Sequence, residues 1–192
     1  MENNIQAFLK VLDASDNSTG GGSASSIAGA MAAGLVGMVA RLSMGKEDLG
    51  PAEHFSRIAS QAVEISRKLF DGAYTDSEAF SVVSSAYKMP KATDDEKQAR
   101  SRAIQEGMVH CSEVPLANAQ LCREVIDLAA VLEKSFNSSA ESDLQCGQYL
   151  AAAGLKGCAA NVRINIPYIK DKETVARLEA ELGKILSETQ TD

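Results

Sequence analysis

Two aspartates, Asp76 and Asp143, stand apart from the other carboxylates because each falls where an apolar helical pattern begins rather than on a solvated face. A carboxylate so placed can act as a general acid or base once its surroundings tune its proton affinity. It can equally stabilise a helix, since Asp at an N-cap or in a first turn contributes about 0.5–2 kcal/mol without any catalysis. The glycines Gly20, Gly21 and Gly22 ahead of Ser23 offer backbone N–H groups and a helix start to a carboxylate or phosphate, or serve as a plain hinge. Lys46, in the loop SMGK, reads from its position alone as a solvent-exposed end charge. His54 and His110 are the only histidines, too few for a His-rich metal site, and neither is assigned a role. H-E-x-x-H, zinc-type Cys/His spacing, G-x-S-x-G and a lysine following the glycines are all missing, so no metal-ligand set is identified.

Helical periodicity dominates the elements that must hold these residues. Ile5 to Leu12 is a short first helix, and the polar turn from Asp13 to Gly22 follows it. Ser23 is a natural N-cap for a small-residue helix running to about Ser43. Its uncharged portion, Ala24 to Ala40, is short of the roughly 20 apolar residues of a membrane span and is expected to be a buried helix of a soluble protein. Ala30, Ala33, Gly34 and Gly37 would let another backbone approach it closely. After Pro51, the stripe Phe55, Ile58, Ala62, Ile65 and Leu69 predicts a helix that stops near Gly72, and Asp76 to Tyr87 predicts another with Phe80 and Val83 facing inward. Asp94 to about Cys111 forms the next helix, and Pro115 is expected to break the chain before Leu116 to Phe136. The last core helix spans Asp143 to about Ala160, Asn161 to Pro167 reads as extended or turn-like, and a final helix carries Val175, Leu178, Leu182 and Ile185 as a seam exposed unless something covers it. The expectation is an all-α, single-domain orthogonal helical bundle of about seven helices covering residues 1–192.

A net charge of −7, with no block of like charges, disfavours nucleic acid and anionic membranes as partners. Cys111, Cys122, Cys146 and Cys158 form no C-x-x-C pair and sit in apolar helical stretches, as reduced core thiols would. The start MENNIQAFLK lacks the features of a secretory signal, and with free thiols this predicts a cytoplasmic protein.

Four segments, in order, resemble the family that includes the cyclodeaminase domain of formiminotransferase-cyclodeaminase and the free-standing bacterial methenyltetrahydrofolate cyclohydrolases. They are GGGSASSIAGAMAAGLVGMVARLSMGK from Gly20, DSEAFSVVSSAYKMPKATDDEKQAR from Asp76, EVPLANA around Pro115, and SDLQCGQYLAAAGLKGCAANVRINI from Ser142. One departure is Thr19, where the family usually has proline. The resemblance implies an all-helical homodimer with a folate pocket and no cofactor beyond the tetrahydrofolate substrate. It implies catalytic carboxylates at Asp76 and Asp143, and pocket walls at Gly20, Gly21, Gly22 and Ser23. Lys46, Lys91 and Arg100 match basic positions suited to the anionic folate tail. Asn161 and Asn165 match a segment where substrate contact and local backbone capping are equally expected. The implied reaction is hydrolysis of 5,10-methenyltetrahydrofolate to 10-formyltetrahydrofolate. The alternative is cyclodeamination of 5-formiminotetrahydrofolate, with release of ammonia. A non-catalytic helical oligomerisation protein is the reading from a different class.

Overall fold

Ala, Gly and Ser fill the stretch after the glycine loop, and their small volume decides the architecture. In a computed structural model, which describes residues 2–46 and 48–187, this stretch is α2 (Gly21–Ser43), and Ala32, Ala33, Val36, Val39 and Ala40 on it are wholly buried. By length and composition α2 could cross a membrane, but here it packs as the innermost helix of a bundle. It contacts α3 (Ala52–Tyr87) on one side and α5 (Glu141–Asn165) on the other, and α4 (Asp94–Glu133) closes the ring between those two. α1 (Glu2–Leu12) lies on α3 and α2, and α6 (Lys172–Ser187) lies on α4. The described residues thus form one all-α bundle of six α-helices with two short 3₁₀ turns, rather than about seven helices.

Two expected breaks are absent, and both have a tertiary cause. The stop at Gly72 does not occur, because α3 runs straight through Asp76 to Tyr87. Gly72 is there for space: a Cβ at that position would come within 2.3 Å of the Asn118 Oδ1 on α4. Pro115 does not divide α4 either. Proline removes the N–H that would bond the carbonyl four residues back, and the Asn165 side chain supplies the missing donor, with Nδ2 at 2.8 Å from the Cys111 carbonyl oxygen. Asn161 to Asn165 is accordingly the last turn of α5 and not an extended segment, with the 3₁₀ turn Ile166–Tyr168 after it.

Three smaller expectations also change. The seam on α6 is covered, since Leu178, Leu182 and Ile185 are buried in the common core. Phe80 is 52% exposed rather than inward, whereas Val83 is buried as its spacing requires. Cys111, Cys122 and Cys158 are buried free thiols, but Cys146 is exposed.

α2 and α5 run antiparallel, and glycine brings them together. Gly147 rests against Ala32, Leu35 and Val36, while a Cβ on Gly154 would meet the Ser25 carbonyl oxygen at 2.9 Å and the Gly29 nitrogen at 3.1 Å. Because those obstacles are backbone atoms, Gly154→Ala should destabilise the fold by about 1–3 kcal/mol. Gly183 on α6 has open space around it, so Gly183→Ala should instead stabilise by roughly 0.5–1 kcal/mol, the ordinary helix-interior preference. Urea denaturation of the two variants checks the pair, and equal midpoints would contradict the packing described.

Candidate active site

The first turn of α2 lacks a side-chain cap. Its N-cap is Gly20, and Ser23, expected there, lies three residues inside the helix. The cap comes instead from α3, where the Asp76 carboxylate accepts from the Ser23 hydroxyl, 3.0 Å from Oδ2, and from the Ser23 backbone N–H. The same hydroxyl lies 2.8 Å from the Ala73 carbonyl oxygen. Gly22 is what lets the carboxylate approach, since a Cβ on it would fall 2.3 Å from Asp76 Oδ1. Asp76 sits within α3 rather than at a helix start, so stabilisation of its own helix terminus does not account for it.

Around this carboxylate lies a cleft of about 320 Å³ lined by Gly20, Gly21 and Gly22, by Asn17 and Ser18 of the preceding turn, by Phe80 of α3, by Cys111 of α4, and by Asn161, Ile164 and Asn165 of α5. Among the described residues, Asp76 is its one lining carboxylate, and no Lys, Arg or His lines it. Burial holds the Asp76 carboxyl above its ordinary value of 3.8, against the opposing pull of the two Ser23 hydrogen bonds. Burial, helped by the charge of Asp76, pushes the Cys111 thiol up to about 11, so at neutral pH it is a neutral wall and not a nucleophile.

The amides on α5 are partly committed to structure. Asn161 Nδ2 donates to the Gly157 carbonyl oxygen at 2.9 Å, and Asn165 Nδ2 to that of Cys111. Each keeps its side-chain oxygen and a second N–H for a ligand. Beneath the floor, Ser26 Oγ donates to the Gly22 carbonyl oxygen at 3.0 Å and receives Asn118 Nδ2 at 2.8 Å, a chain that ties α2 to α4. Among the described residues, no three His, Cys, Asp or Glu side chains converge as a metal site.

The structure therefore brings together Gly20, Gly21, Gly22, Ser23, Asp76, Asn161 and Asn165. It places Lys91 in the exposed turn after α3, and Arg100 near the start of α4, where Nη2 lies 3.1 Å from the Tyr87 carbonyl oxygen. Both lie past the pocket, since Tyr87 is about 16 Å beyond Asp76 at 1.5 Å per residue. Asp143 occupies the first turn of α5, about 27 Å along that helix from Asn161. Lys46 follows the far end of α2, so within one chain these two sit at the end of the bundle opposite the pocket. Sequence reasoning missed Asn17, Ser18, Phe80, Cys111 and Ile164 as pocket wall. The alternation of apolar positions gives no signal for a side chain needed at the mouth of a cleft.

Residues 4–184 match the family model described as formiminotransferase-cyclodeaminase. The chain is 38% identical over 185 residues to a methenyltetrahydrofolate cyclohydrolase from Methylorubrum extorquens, an alignment covering 96% of this chain and 89% of that protein. It is 27% identical to the formimidoyltransferase-cyclodeaminase of Sus scrofa, covering 97% of this chain and 35% of that longer protein. The crystal structure of formiminotetrahydrofolate cyclodeaminase from Thermotoga maritima superposes with a TM-score of 0.77 at 28% identity, over 88% of this chain and 81% of that one.

Two outcomes separate structural from chemical roles at the site. If Asn165 repairs the carbonyl that Pro115 orphans, Asn165→Ala should cost about 1–3 kcal/mol in urea unfolding. Most of that cost should vanish in a Pro115→Ala background, where the helix bond reforms. For Asp76, the folded state binds the proton more tightly than the unfolded state. Its contribution to stability is therefore intact below pH 3.8 and lost as pH rises through the higher folded-state value. Asp76→Asn should thus melt at or above the parent near pH 8, and that advantage should shrink toward pH 3. A melting difference independent of pH would contradict the raised carboxyl.

Proposed function

The chain belongs to the formiminotransferase-cyclodeaminase family, and we propose that at the Asp76 pocket it hydrolyses 5,10-methenyltetrahydrofolate to 10-formyltetrahydrofolate. One observation carries this reading: a partly buried carboxylate stands alone in an amide-lined cleft that no basic side chain lines. Such a cleft favours a cation. The amidinium carbon bridging N5 and N10 is cationic, and a nearby carboxylate in a site of low polarity stabilises it. Likeness to the cyclohydrolase of Methylorubrum extorquens, over nearly the whole length of both proteins, supports the same choice.

In the proposed step, Asp76 takes a proton from water as its oxygen bonds to the bridging carbon. The bond from that carbon to N5 then breaks, the formyl group stays on N10, and N5 receives a proton. One proton is released overall. A carboxyl raised by burial suits both the uptake and the return of that proton. The substrate's own positive charge activates its carbon, so the reaction as written calls on no metal or redox cofactor. Phe80 and Ile164, both exposed at the pocket, offer apolar faces to a flat ring. The spare amide groups of Asn17, Asn161 and Asn165 suit its polar edge. Lys91 and Arg100, past the pocket on the α3/α4 side, are the cations this reading assigns to the anionic tail. We further infer a homodimer in the cytoplasm, a compartment consistent with four free cysteines.

Cyclodeamination of 5-formiminotetrahydrofolate is the second reading, favoured by the likeness to the Thermotoga maritima enzyme. There a protonated carboxyl would assist ammonia to leave, and the raised Asp76 is suited to that also.

Purified protein should accelerate loss of the near-ultraviolet absorbance of 5,10-methenyltetrahydrofolate above the spontaneous rate. Asp76→Asn should lower kcat by about 10²–10⁴-fold. Ammonia release from 5-formiminotetrahydrofolate would move the assignment to the second reading. Silence in both assays would favour a non-catalytic assembly protein.

A further inference from the structure

One hydroxyl beneath the Asp76 pocket faces two acceptors with a single hydrogen. Ser23 is wholly buried, and its Oγ lies 2.8 Å from the Ala73 carbonyl oxygen and 3.0 Å from Asp76 Oδ2. Serine carries one O–H donor and two acceptor lone pairs. A carbonyl and an ionised carboxylate only accept, so with Asp76 ionised one hydrogen cannot serve both oxygens fully. With a proton on Oδ2, both contacts are complete. The Asp76 O–H then donates to Ser23 Oγ, and Ser23 donates to Ala73.

Once Asp76 ionises, the two acceptors are unequal. Ala73 lies inside α3, where its carbonyl already accepts the backbone N–H of Ser77, four residues on. It can release Ser23 and remain paired. Asp76 Oδ2 would otherwise face a lone pair of Oγ in a site of low polarity, where a charge without partners is costly. A hydrogen bond to an ionised acceptor is also about twice as strong as one between neutral groups. The hydrogen therefore belongs on Oδ2 in the ionised state. Reaching it takes only rotation about the Cβ–Oγ bond, which moves no heavy atom and so is allowed in a close-packed interior.

Resting on the reading of Asp76 as the base that activates water, we infer that Ser23 is a positioning residue for that base. Its hydroxyl turns from the Ala73 carbonyl to Asp76 Oδ2 when the carboxyl ionises. Oδ1 has no side-chain partner among the described residues and is left to take the proton from water. Only water's proton moves, since Ser23 keeps its own hydrogen throughout.

Nothing else near the carboxylate can do this. The titratable groups that sense Asp76 are two thiols, Cys111 on α4 and Cys158 on α5. Both are held neutral, Cys111 by burial and Cys158 by its hydrogen bond with Cys122. Among the described residues, α2 and the turn before it present no charged side chain to the cleft. Burial favours the neutral acid, which cannot accept a proton from water, and the Ser23 hydrogen bonds oppose it.

Ser23→Ala removes the hydrogen with little change of volume, and the pH profile of kcat/KM reads the result. Its acid limb should move up by about 1 pH unit, because an ionised acceptor loses more than a neutral one. Activity should recover toward the parent's above the displaced limb. A plain structural role for Ser23 would lower activity by the same factor at every pH, and a limb that stays in place overturns the proposal. Titration of Asp76 without substrate is the second measurement. With the aspartate carboxyl carbons isotope-labelled and Asp76→Asn identifying the signal, carbon NMR should show a midpoint about 1 pH unit higher in Ser23→Ala than in the parent. An unchanged midpoint overturns the assignment to Ser23. A raised midpoint in a protein that acts on no tetrahydrofolate derivative overturns the folate reading and leaves the Ser23 turn standing.

Discussion

The carboxylate of Asp76 seated against the first turn of α2 is the contact on which the rest of the site depends. A helix N-terminus carries partial positive charge and unsatisfied N–H groups, and Gly20 brings no side chain to meet them. Asp76 reaches across from α3 to do so. One interaction thus locks two helices together, orients a carboxylate and keeps it partly buried. Its neighbours then follow. Gly22 must be bare for the carboxylate to fit, and Ser23 must be a hydrogen-bond donor to hold it.

Buried polar groups behind the pocket extend that constraint into the core. Asn118 reaches Ser26, Ser26 reaches the Gly22 carbonyl oxygen, and Gly72 makes room for Asn118. Asn118 Nδ2, Ser26 Oγ and the Gly22 carbonyl oxygen are thereby each partnered, as burial demands. Glycine repeatedly marks where one element must touch another. Within α2, α3 and α5 it sacrifices helix propensity in favour of close approach, and α2 serves as the common surface onto which α3 and α5 close.

Asn165 illustrates how structure and chemistry share a residue. Pro115 frees a carbonyl in the middle of α4, and the cheapest donor is a side chain from the end of α5. That bond brings the last turn of α5 to the wall of the cleft and draws Asn161 and Ile164 with it. The proline and the asparagine are therefore one device, half in each helix. Electrostatically the result is a negative point in an otherwise uncharged cleft, with the basic Lys91 and Arg100 displaced outward along the α3/α4 hairpin.

Periodicity in the sequence was enough to determine the helical class, the burial of Phe55, Ile58, Ala62, Ile65 and Leu69, and the burial of the small-residue helix, because these follow from which residues avoid water. The ordered segments beginning at Gly20 and Asp76 were also legible, and they pointed to the glycine loop and Asp76 as one site. Tertiary structure decided what local rules cannot. Gly72 reads as a stop and Pro115 as a break when only neighbours in sequence are considered, yet Asn118 explains the first and Asn165 repairs the second. Phe80 follows the pattern of a core residue but stands at the mouth of the cleft. Asp76 and Asp143 look alike in sequence, each ahead of an apolar run. Only the fold distinguishes a carboxylate desolvated inside a long helix from one in the first turn of another, because burial and partners are properties of contacts between elements and not of the elements themselves.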